Sequence, residues 1–237
     1  MRTEERSGRV AVITGGFGAL GQAVATAALD YGLGVAVVGH AAAPPAGLGD
    51  RLGHSALLLG GVDLADEAAA TAVMRAITSR FGRIDVLFNI AGGFRWIKLE
   101  DSHVTDLEFL LRMNVQTTAN AIRAALPALR QSPAGRIVNV GALAAEKAAA
   151  GMGPYSASKA AVLRLTEALA EELKDTHVTV NAVLPSIIDT AQNRADMPKA
   201  EFSRWVAPSD LAEVMLFLAS EKARAITGAL LPVLGRI

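Results

Sequence analysis

The chain has 237 residues, of which 51% are hydrophobic and 19% are charged, and its 23 basic and 23 acidic side chains give a formal net charge of zero. This length suits one large α/β domain, and a neutral chain has no basic field with which to gather nucleic acid or an anionic membrane. The chain contains no cysteine, which excludes disulfides, thiolate metal sites and cysteine nucleophiles.

The N-terminal residues run from a charged stretch directly into a strand-like segment, without the apolar core of a signal peptide. No uninterrupted apolar stretch approaches membrane-spanning length. The four histidines are scattered and lack the spacing of metal ligands. We therefore expect a soluble cytoplasmic protein that binds no metal, no nucleic acid and no membrane.

Strand and helix patterns alternate along nearly the whole chain. Short apolar runs predict strands at 9–14, 34–39, within 56–64, and at 84–92, 135–143 and 178–186, with an edge strand at 228–235. Helical patterns cover 20–32, 66–82, 106–126, 156–174 and 209–220, the third of them ending at Pro127. Because the strands are apolar without alternation, both faces of the sheet are expected to be covered by helices. The pattern predicts a doubly wound, Rossmann-type parallel sheet in a single α/β domain, 1–237.

One segment, 187–205, has no clear periodicity and lies between the sixth strand and the last helix. In a compact domain a long segment of this kind often covers a site. We interpret 187–205 as a substrate lid.

Glycines are concentrated between the first strand and the first helix, at Gly15, Gly16, Gly18 and Gly21. Glycines there let the backbone approach a pyrophosphate, and the helix N-terminus offers free amides and a positive dipole end. Such a cluster alone also fits a tight turn, but its position after a strand and before a helix is that of a dinucleotide-binding turn.

The ends of three further strands bear on the cofactor. Asp63 could accept a hydrogen bond from an adenine amino group or cap a helix. Small residues after Asn89 leave room for a ribose, although a plain turn is the competing interpretation. At the end of the second strand His40 stands where a carboxylate would select NAD and repel a 2′-phosphate, which favours NADP over NAD.

Tyr155 and Lys159 are four residues apart and share one face of a predicted helix. A nearby ammonium favours the phenolate, so Lys159 could make Tyr155 more acidic and let it serve as a general acid toward a carbonyl. This spacing is also common on exposed helices, but its place after the fifth strand favours a functional pair. Asn114, a polar residue inside a helical pattern, could hold a water leading to Lys159 or simply lie on the surface.

Taken in order, these motifs resemble the short-chain dehydrogenase/reductase family over essentially the whole chain. The resemblance implies NAD(P) binding, hydride transfer, and a homodimer or homotetramer, with Tyr155, Lys159 and Asn114 as catalytic residues. The cofactor-binding residues that it implies are Thr14, Gly15, Gly18, Gly21, His40, Asp63, Asn89, Ala91, Gly92, Lys159, Pro185 and Thr190.

The chain departs from that family pattern at Ala142, which occupies the place of the catalytic serine. Several stretches, including "GGFGALG" and "AGGF", resemble dihydropteridine reductases and their bacterial relatives, which also lack this serine and reduce a quinonoid substrate. The closer resemblance implies that 187–205 covers the substrate. The pocket residues that it suggests are Asn193, Arg194, Phe202 and Trp205, together with Arg95 and Trp96.

Three interpretations of function remain open. The first is an NAD(P)H-dependent reductase of a small conjugated or quinonoid compound. The second is an ordinary carbonyl oxidoreductase that polarises its substrate with Tyr155 alone or with a backbone amide. The third is a non-catalytic nucleotide-binding or redox-sensing protein, which the loss of a hydroxyl at Ala142 favours and the presence of Tyr155 and Lys159 opposes.

Overall fold

Seven parallel strands form one sheet in the computed structural model, which describes residues 8–237; the charged N-terminal stretch lies outside the described residues. The strands are β1 (Val10–Thr14), β2 (Gly34–Val38), β3 (Leu57–Leu59), β4 (Val86–Asn89), β5 (Arg136–Val140), β6 (Thr179–Pro185) and β7 (Leu230–Val233). Their order across the sheet is β3-β2-β1-β4-β5-β6-β7. The order reverses between β1 and β4, so the carboxyl ends of these two strands flank the switch point where such sheets bind ligands.

Within residues 8–237, eight α-helices connect the strands. They are α1 (Ala19–Asp30), α2 (Leu48–Leu52), α3 (Glu67–Phe81), α4 (Val104–Leu110), α5 (Thr117–Gln131), α6 (Gly153–Glu172), α7 (Ala191–Asp196) and α8 (Pro208–Ala219). A π-helical turn, Leu111–Gln116, joins α4 to α5, and short 3₁₀ turns lie at Leu99–Asp101, Leu143–Ala145, Phe202–Arg204 and Glu221–Ala223. None of the helices in the described part of the chain is long and apolar enough to cross a bilayer.

The core lies on both faces of the sheet, as the unbroken apolar strands predict. Helices α1 and α8 pack on one face against Ile13, Val35 and Phe88. Helices α3, α5 and the end of α6 pack on the other face against Val12 and Leu87. Neighbouring residues of one strand therefore pack against helices on opposite faces of the sheet. The prediction of a doubly wound α/β sheet is confirmed.

One predicted helix end is wrong. The helix that begins near residue 106 does not end at Pro127 but continues to Gln131, because Ala125 and Leu129 extend its buried stripe across the proline. Pro127 has no N–H to donate to the carbonyl one turn earlier in the helix. Because Pro127 is exposed, water can donate a hydrogen bond to that carbonyl instead. In addition, the glycine- and proline-rich segment after β2 contains the short helix α2, which buries Leu48 and Leu52.

Candidate active site

Tyr155 and Lys159 lie in the first two turns of α6, just beyond the carboxyl end of β5. Lys159 is 6% exposed, and its Nζ donates a hydrogen bond to the carbonyl of Val140, the last residue of β5, at 2.8 Å. Burial lowers the pKa of Lys159 from 10.5 to about 8, because the charged ammonium loses water. At pH 7 the amine is still mostly protonated, so the structure holds a cation at the strand end.

The phenol of Tyr155 packs against Phe94, with ring centroids 4.9 Å apart and an interplanar angle of 85°. Burial raises the pKa of Tyr155 to about 12, which is the opposite of the direction expected from Lys159. The physical reason is that the Lys159 amine is directed to the Val140 carbonyl while the phenol lies among apolar groups. In this structure Tyr155 is therefore a protonated acid at neutral pH.

Tyr155 and Lys159 open into a cavity of about 390 Å³. Its other lining residues are mostly apolar: Phe94, Val140, Gly141, Ala142, Leu143, Ala144, Ala149, Met152, Pro185, Ile187, Ile188, Met197 and Ile237, with Lys147, Ser186 and Asn193 as the remaining polar members. Ala142, 5% exposed, stands in this lining beside the tyrosine. The position without a hydroxyl is therefore part of the site.

Asn114 is fully buried in the π-helical turn rather than exposed. Its Oδ1 accepts a hydrogen bond from the Gly93 amide at 2.9 Å, and its Nδ2 donates to the Gly93 carbonyl at 3.1 Å and to Ser158 Oγ at 2.9 Å. A Cβ on Gly92 would lie 2.5 Å from Asn114 Oδ1 and 3.4 Å from Lys159 Nζ. Asn114 thus holds the loop after β4 against α6, and its role in holding a water stays a prediction.

The π-helical turn was missed by sequence reasoning. Such turns occur often at functional sites. The one signal in the chain was the polar residue Asn114 inside an otherwise helical pattern.

The glycine turn lies where a dinucleotide would need it, at the carboxyl end of β1. Gly15 has a left-handed φ of 63°, and a Cβ there would lie 2.7 Å from the Ala91 amide nitrogen. A Cβ on Gly21 would lie 2.5 Å from the Gly15 carbonyl oxygen. Gly18 is the N-cap of α1 and provides no side-chain cap, so the positive end of this 12-residue helix faces the turn. These features fit a bound pyrophosphate.

Thr14 positions this turn rather than facing outward, since it is 1% exposed. Its hydroxyl accepts hydrogen bonds from the amides of Ile90 at 3.0 Å and Ala91 at 3.2 Å, and it donates to the Phe88 carbonyl at 3.3 Å. The bonds tie the ends of β1 and β4 together at the switch point.

A second cavity, of about 120 Å³, is lined by His40 and Asp63 together with Gly15, Ala91 and Gly92. Asp63 Oδ2 accepts a hydrogen bond from Arg112 at 2.6 Å, and Oδ1 accepts one from the Ala65 amide at 2.9 Å. Burial opposes ionisation of Asp63, but these hydrogen bonds outweigh it, and the pKa lies below its ordinary value. Asp66, not Asp63, caps α3. The cavity suits an adenosine, and direct contact between Asp63 and adenine stays a prediction.

Three other predicted cofactor residues have partners within the protein or lie at the larger cavity. Asn89 is 2% exposed and donates to Asn139 Oδ1 at 2.8 Å, and its own Oδ1 is buried without a hydrogen-bond partner among residues 8–237. Thr190 caps α7 by accepting a hydrogen bond from the Asn193 amide at 3.1 Å. Pro185 lines the larger cavity. Their contacts with a cofactor stay predictions.

Of the six predicted pocket residues, only Asn193 lines the larger cavity. Arg194 pairs with Asp189 and lies over the ring of Phe202, which in turn packs on the buried Trp205. These three residues join parts of the segment 187–205 to one another.

The two candidates after β4 also lie outside the cavity lining. Arg95 pairs with Asp106 at 2.7 Å, and the ring of Trp96 covers Gly151. The structure instead brings Ile187, Ile188 and Met197 to the cavity. Sequence reasoning missed these residues because an aperiodic segment gives no sign of which side chains turn inward.

The doubly wound sheet and the glycine turn at its switch point are those of a dinucleotide-dependent oxidoreductase. Residues 9–201 match the family model described as short chain dehydrogenase, and the chain belongs to that family of NAD(P)-dependent oxidoreductases.

Among curated relatives, the chain is 30% identical to the 3-oxoacyl-(acyl-carrier-protein) reductase of Vibrio cholerae, with 96% of each chain covered. It is also 30% identical to the reductase of the same kind for rhamnolipid biosynthesis in Pseudomonas aeruginosa, covering 97% of this chain and 96% of the relative. An uncharacterized oxidoreductase of Staphylococcus aureus is 26% identical over 90% of this chain and 91% of its own. The crystal structure of NAD⁺-bound xylitol dehydrogenase superimposes with a TM-score of 0.89 at 24% identity, covering 98% of this chain and 100% of that one, which supports the fold.

Proposed function

We propose that the protein reduces a small compound that is conjugated, quinonoid or carbonyl-bearing, with Tyr155 as the proton donor. The observation that carries this proposal is the shared cavity, in which Tyr155 and Lys159 face a mostly hydrocarbon lining that includes Ala142. Apolar walls with a few convergent polar groups are typical of a small-molecule site.

The dinucleotide, when bound, supplies the hydride. Tyr155, protonated at neutral pH, gives its proton to the substrate atom that gains negative charge. Lys159 stays mostly charged at pH 7, and its bond to the Val140 carbonyl fixes the amine at the cavity wall, one helical turn from Tyr155. Apolar neighbours such as Phe94 keep water from competing for that proton.

The absence of a hydroxyl at Ala142 favours substrates that develop little localised oxyanion charge. A hydroxyl donor at such a position is typically worth about 3 kcal/mol in the transition state. The other hydroxyl in the lining, that of Ser186, donates to the Leu234 carbonyl at 2.8 Å. We therefore favour a quinonoid, dihydropteridine-like substrate over a simple ketone.

Reduction of a β-keto thioester or ester is the second candidate. It is favoured by the two relatives at 30% identity, whose names describe 3-oxoacyl reductases. In that case Tyr155 polarises the carbonyl alone or with a backbone amide.

The cofactor preference, the lid and the assembly are also proposals. His40 in the smaller cavity supports a preference for NADP over NAD. The segment 187–205 supplies several lining residues of the larger cavity, which supports its role as a lid. A homodimer or homotetramer is supported by the small side chains Ala157, Ala160 and Ala161, which are exposed or half-buried on α6.

The test is oxidation of NADPH and NADH by the protein and by Ala142→Ser, with a quinonoid dihydropterin, quinones and β-keto esters as substrates. We expect the natural protein to reduce the quinonoid compounds, and the serine to change those rates by less than about threefold while raising ester reduction about tenfold or more. An equal increase in reduction rate on every substrate would contradict the proposal that quinonoid compounds need no hydroxyl at position 142. Nucleotide binding without turnover of any compound would favour the non-catalytic alternative.

A further inference from the structure

We propose that Lys147, a lining residue of the larger cavity, binds an anionic group of the substrate, such as a carboxylate or phosphate. The proposal rests on the proposed function, since it concerns the substrate of the same cavity. Lys147 belongs to the cavity lining and is exposed.

The charged side chains of the lining are of one sign. They are Lys147 and Lys159, and no aspartate or glutamate is found among the described residues that line the cavity. A concave surface with charge of one sign attracts ligands of the other sign. The lining therefore favours an anion over a cation or a neutral molecule of the same shape.

Three polar side chains of the lining already form hydrogen bonds within the protein. Ser186 Oγ donates to the Leu234 carbonyl, Asn193 Nδ2 donates to the Ile188 carbonyl at 2.7 Å, and Lys159 Nζ donates to the Val140 carbonyl. Lys147 forms no ion pair or hydrogen bond with another described residue. Its ammonium, with three donors, is thus available to a ligand.

The segment that carries Lys147 is held in place at both ends. It follows the 3₁₀ turn Leu143–Ala145, of which Leu143 and Ala144 line the cavity, and it leads into α6. Near α6, Gly151 has a left-handed φ of 75° under the Trp96 ring, and its carbonyl accepts a hydrogen bond from the Ile97 amide at 2.9 Å. Lys147 is therefore presented from an anchored loop at the cavity wall.

The chemical class that follows is an amphipathic anion: an acceptor group next to Tyr155, an apolar body along Leu143, Met152 and Ile188, and a carboxylate or phosphate at Lys147. Lys147 would act as a specificity-determining residue without taking part in proton transfer. Its removal is expected to weaken binding of the anion and to leave the chemical step unchanged.

The experiment compares keto acids of increasing chain length, starting with levulinate, with their methyl esters, in the natural protein, Lys147→Ala and Lys147→Glu. For the acid of best-fitting length we expect KM to rise about five- to tenfold in Lys147→Ala and further in Lys147→Glu, with kcat unchanged, and no change for the ester. Added salt should reduce the advantage of the acid in the natural protein. Lys222→Ala, which removes the same charge from an exposed residue outside both the lining and the segment 187–205, is the matched control.

A second readout does not require turnover. The Kd of each acid and ester is measured by calorimetry on the protein saturated with NADP⁺, and the same selective loss in Lys147→Ala is expected. Equal effects on acid and ester, or an equal effect of Lys222→Ala, would overturn the role of Lys147. If the natural protein reduces none of the keto compounds but binds the acids through Lys147, the anion site stands, and the proposed function fails only if the quinonoid compounds are not reduced either. The same pairs made with phosphate in place of carboxylate distinguish the two anions.

Discussion

Lys159 carries its ammonium into a site where charge is costly. The side chain is 6% exposed, and burial lowers its pKa from 10.5 to about 8. A buried cation kept at this cost in stability is typical of a functional site. Burial also raises the pKa of Tyr155, so at neutral pH the pair consists of an ammonium group and a protonated phenol.

Replacement of Lys159 by methionine is expected to stabilise the protein while removing activity. The native protein binds the lysine proton less tightly than the unfolded chain, so the penalty is complete below about pH 8 and is lost as the pH rises toward 10.5. At pH 7 we expect the variant to gain about 2 kcal/mol in the free energy of unfolding, after the loss of the hydrogen bond to Val140.

Urea denaturation between pH 7 and 10 measures this difference, and Lys174→Met, on an exposed lysine, is the control. The gain should shrink steadily above pH 8. A variant that is less stable at pH 7, or a difference that does not depend on pH, would refute the account of Lys159.

At the residue scale, the sequence was enough to find the Tyr155–Lys159 pair and Ala142, because a spacing of four on a helix fixes a common face. It was not enough to predict the pKa of Tyr155. The pKa of Tyr155 depends on the direction of the Lys159 amine and on how apolar the surroundings of the phenol are. Neither can be read from the sequence.

At the scale of elements, the π-helical turn Leu111–Gln116 brings Asn114 into the site. The turn places a buried amide against the loop after β4 and against Ser158 on α6. A helical periodicity fits both α4 and α5, so a single widened turn between them leaves no trace in the hydrophobic pattern.

Asn114→Ala is expected to lower the free energy of unfolding by about 2–4 kcal/mol, because it leaves the Gly93 amide and carbonyl and Ser158 without their partner. We also expect kcat to fall, since the loop beside Lys159 is no longer held. Asn120→Ala is the matched control, because Asn120 donates to the carbonyls of Leu64 and Ala65 away from the larger cavity. Thermal denaturation and steady-state kinetics separate the two effects; equal kcat values in both variants would argue against a positioning role for Asn114.

At the scale of the whole molecule, the order of the strands places the smaller cavity at the carboxyl ends of β1, β2 and β4 and the larger one at those of β5 and β6. This much could be predicted, since apolar strands alternating with helices allow few topologies. Which side chains of 187–205 line the larger cavity could not be predicted. Arg194, Phe202 and Trp205 pack among themselves, while the apolar Ile188 and Met197 turn inward, and an aperiodic sequence does not distinguish these outcomes.

His40→Asp is expected to shift the cofactor preference from NADPH toward NADH. A carboxylate at the end of β2 repels a 2′-phosphate and accepts hydrogen bonds from the free ribose hydroxyls. The ratio of kcat/KM for NADPH to that for NADH should fall about tenfold or more. His54→Asp, at an exposed histidine outside the smaller cavity, adds the same charge and is the control. An unaltered ratio in His40→Asp would place the 2′-position elsewhere.

The central claim is that Tyr155 gives a proton to the substrate in the cavity that it shares with Lys159 and Ala142. The most direct measurement is single-turnover oxidation of the bound nucleotide by Tyr155→Phe, with nucleotide affinity measured in parallel by fluorescence. We predict that the rate falls about 10²-fold or more, as for the loss of a general acid, while the Kd for the nucleotide stays within about twofold. A variant that oxidises its nucleotide at nearly the natural rate would contradict the account.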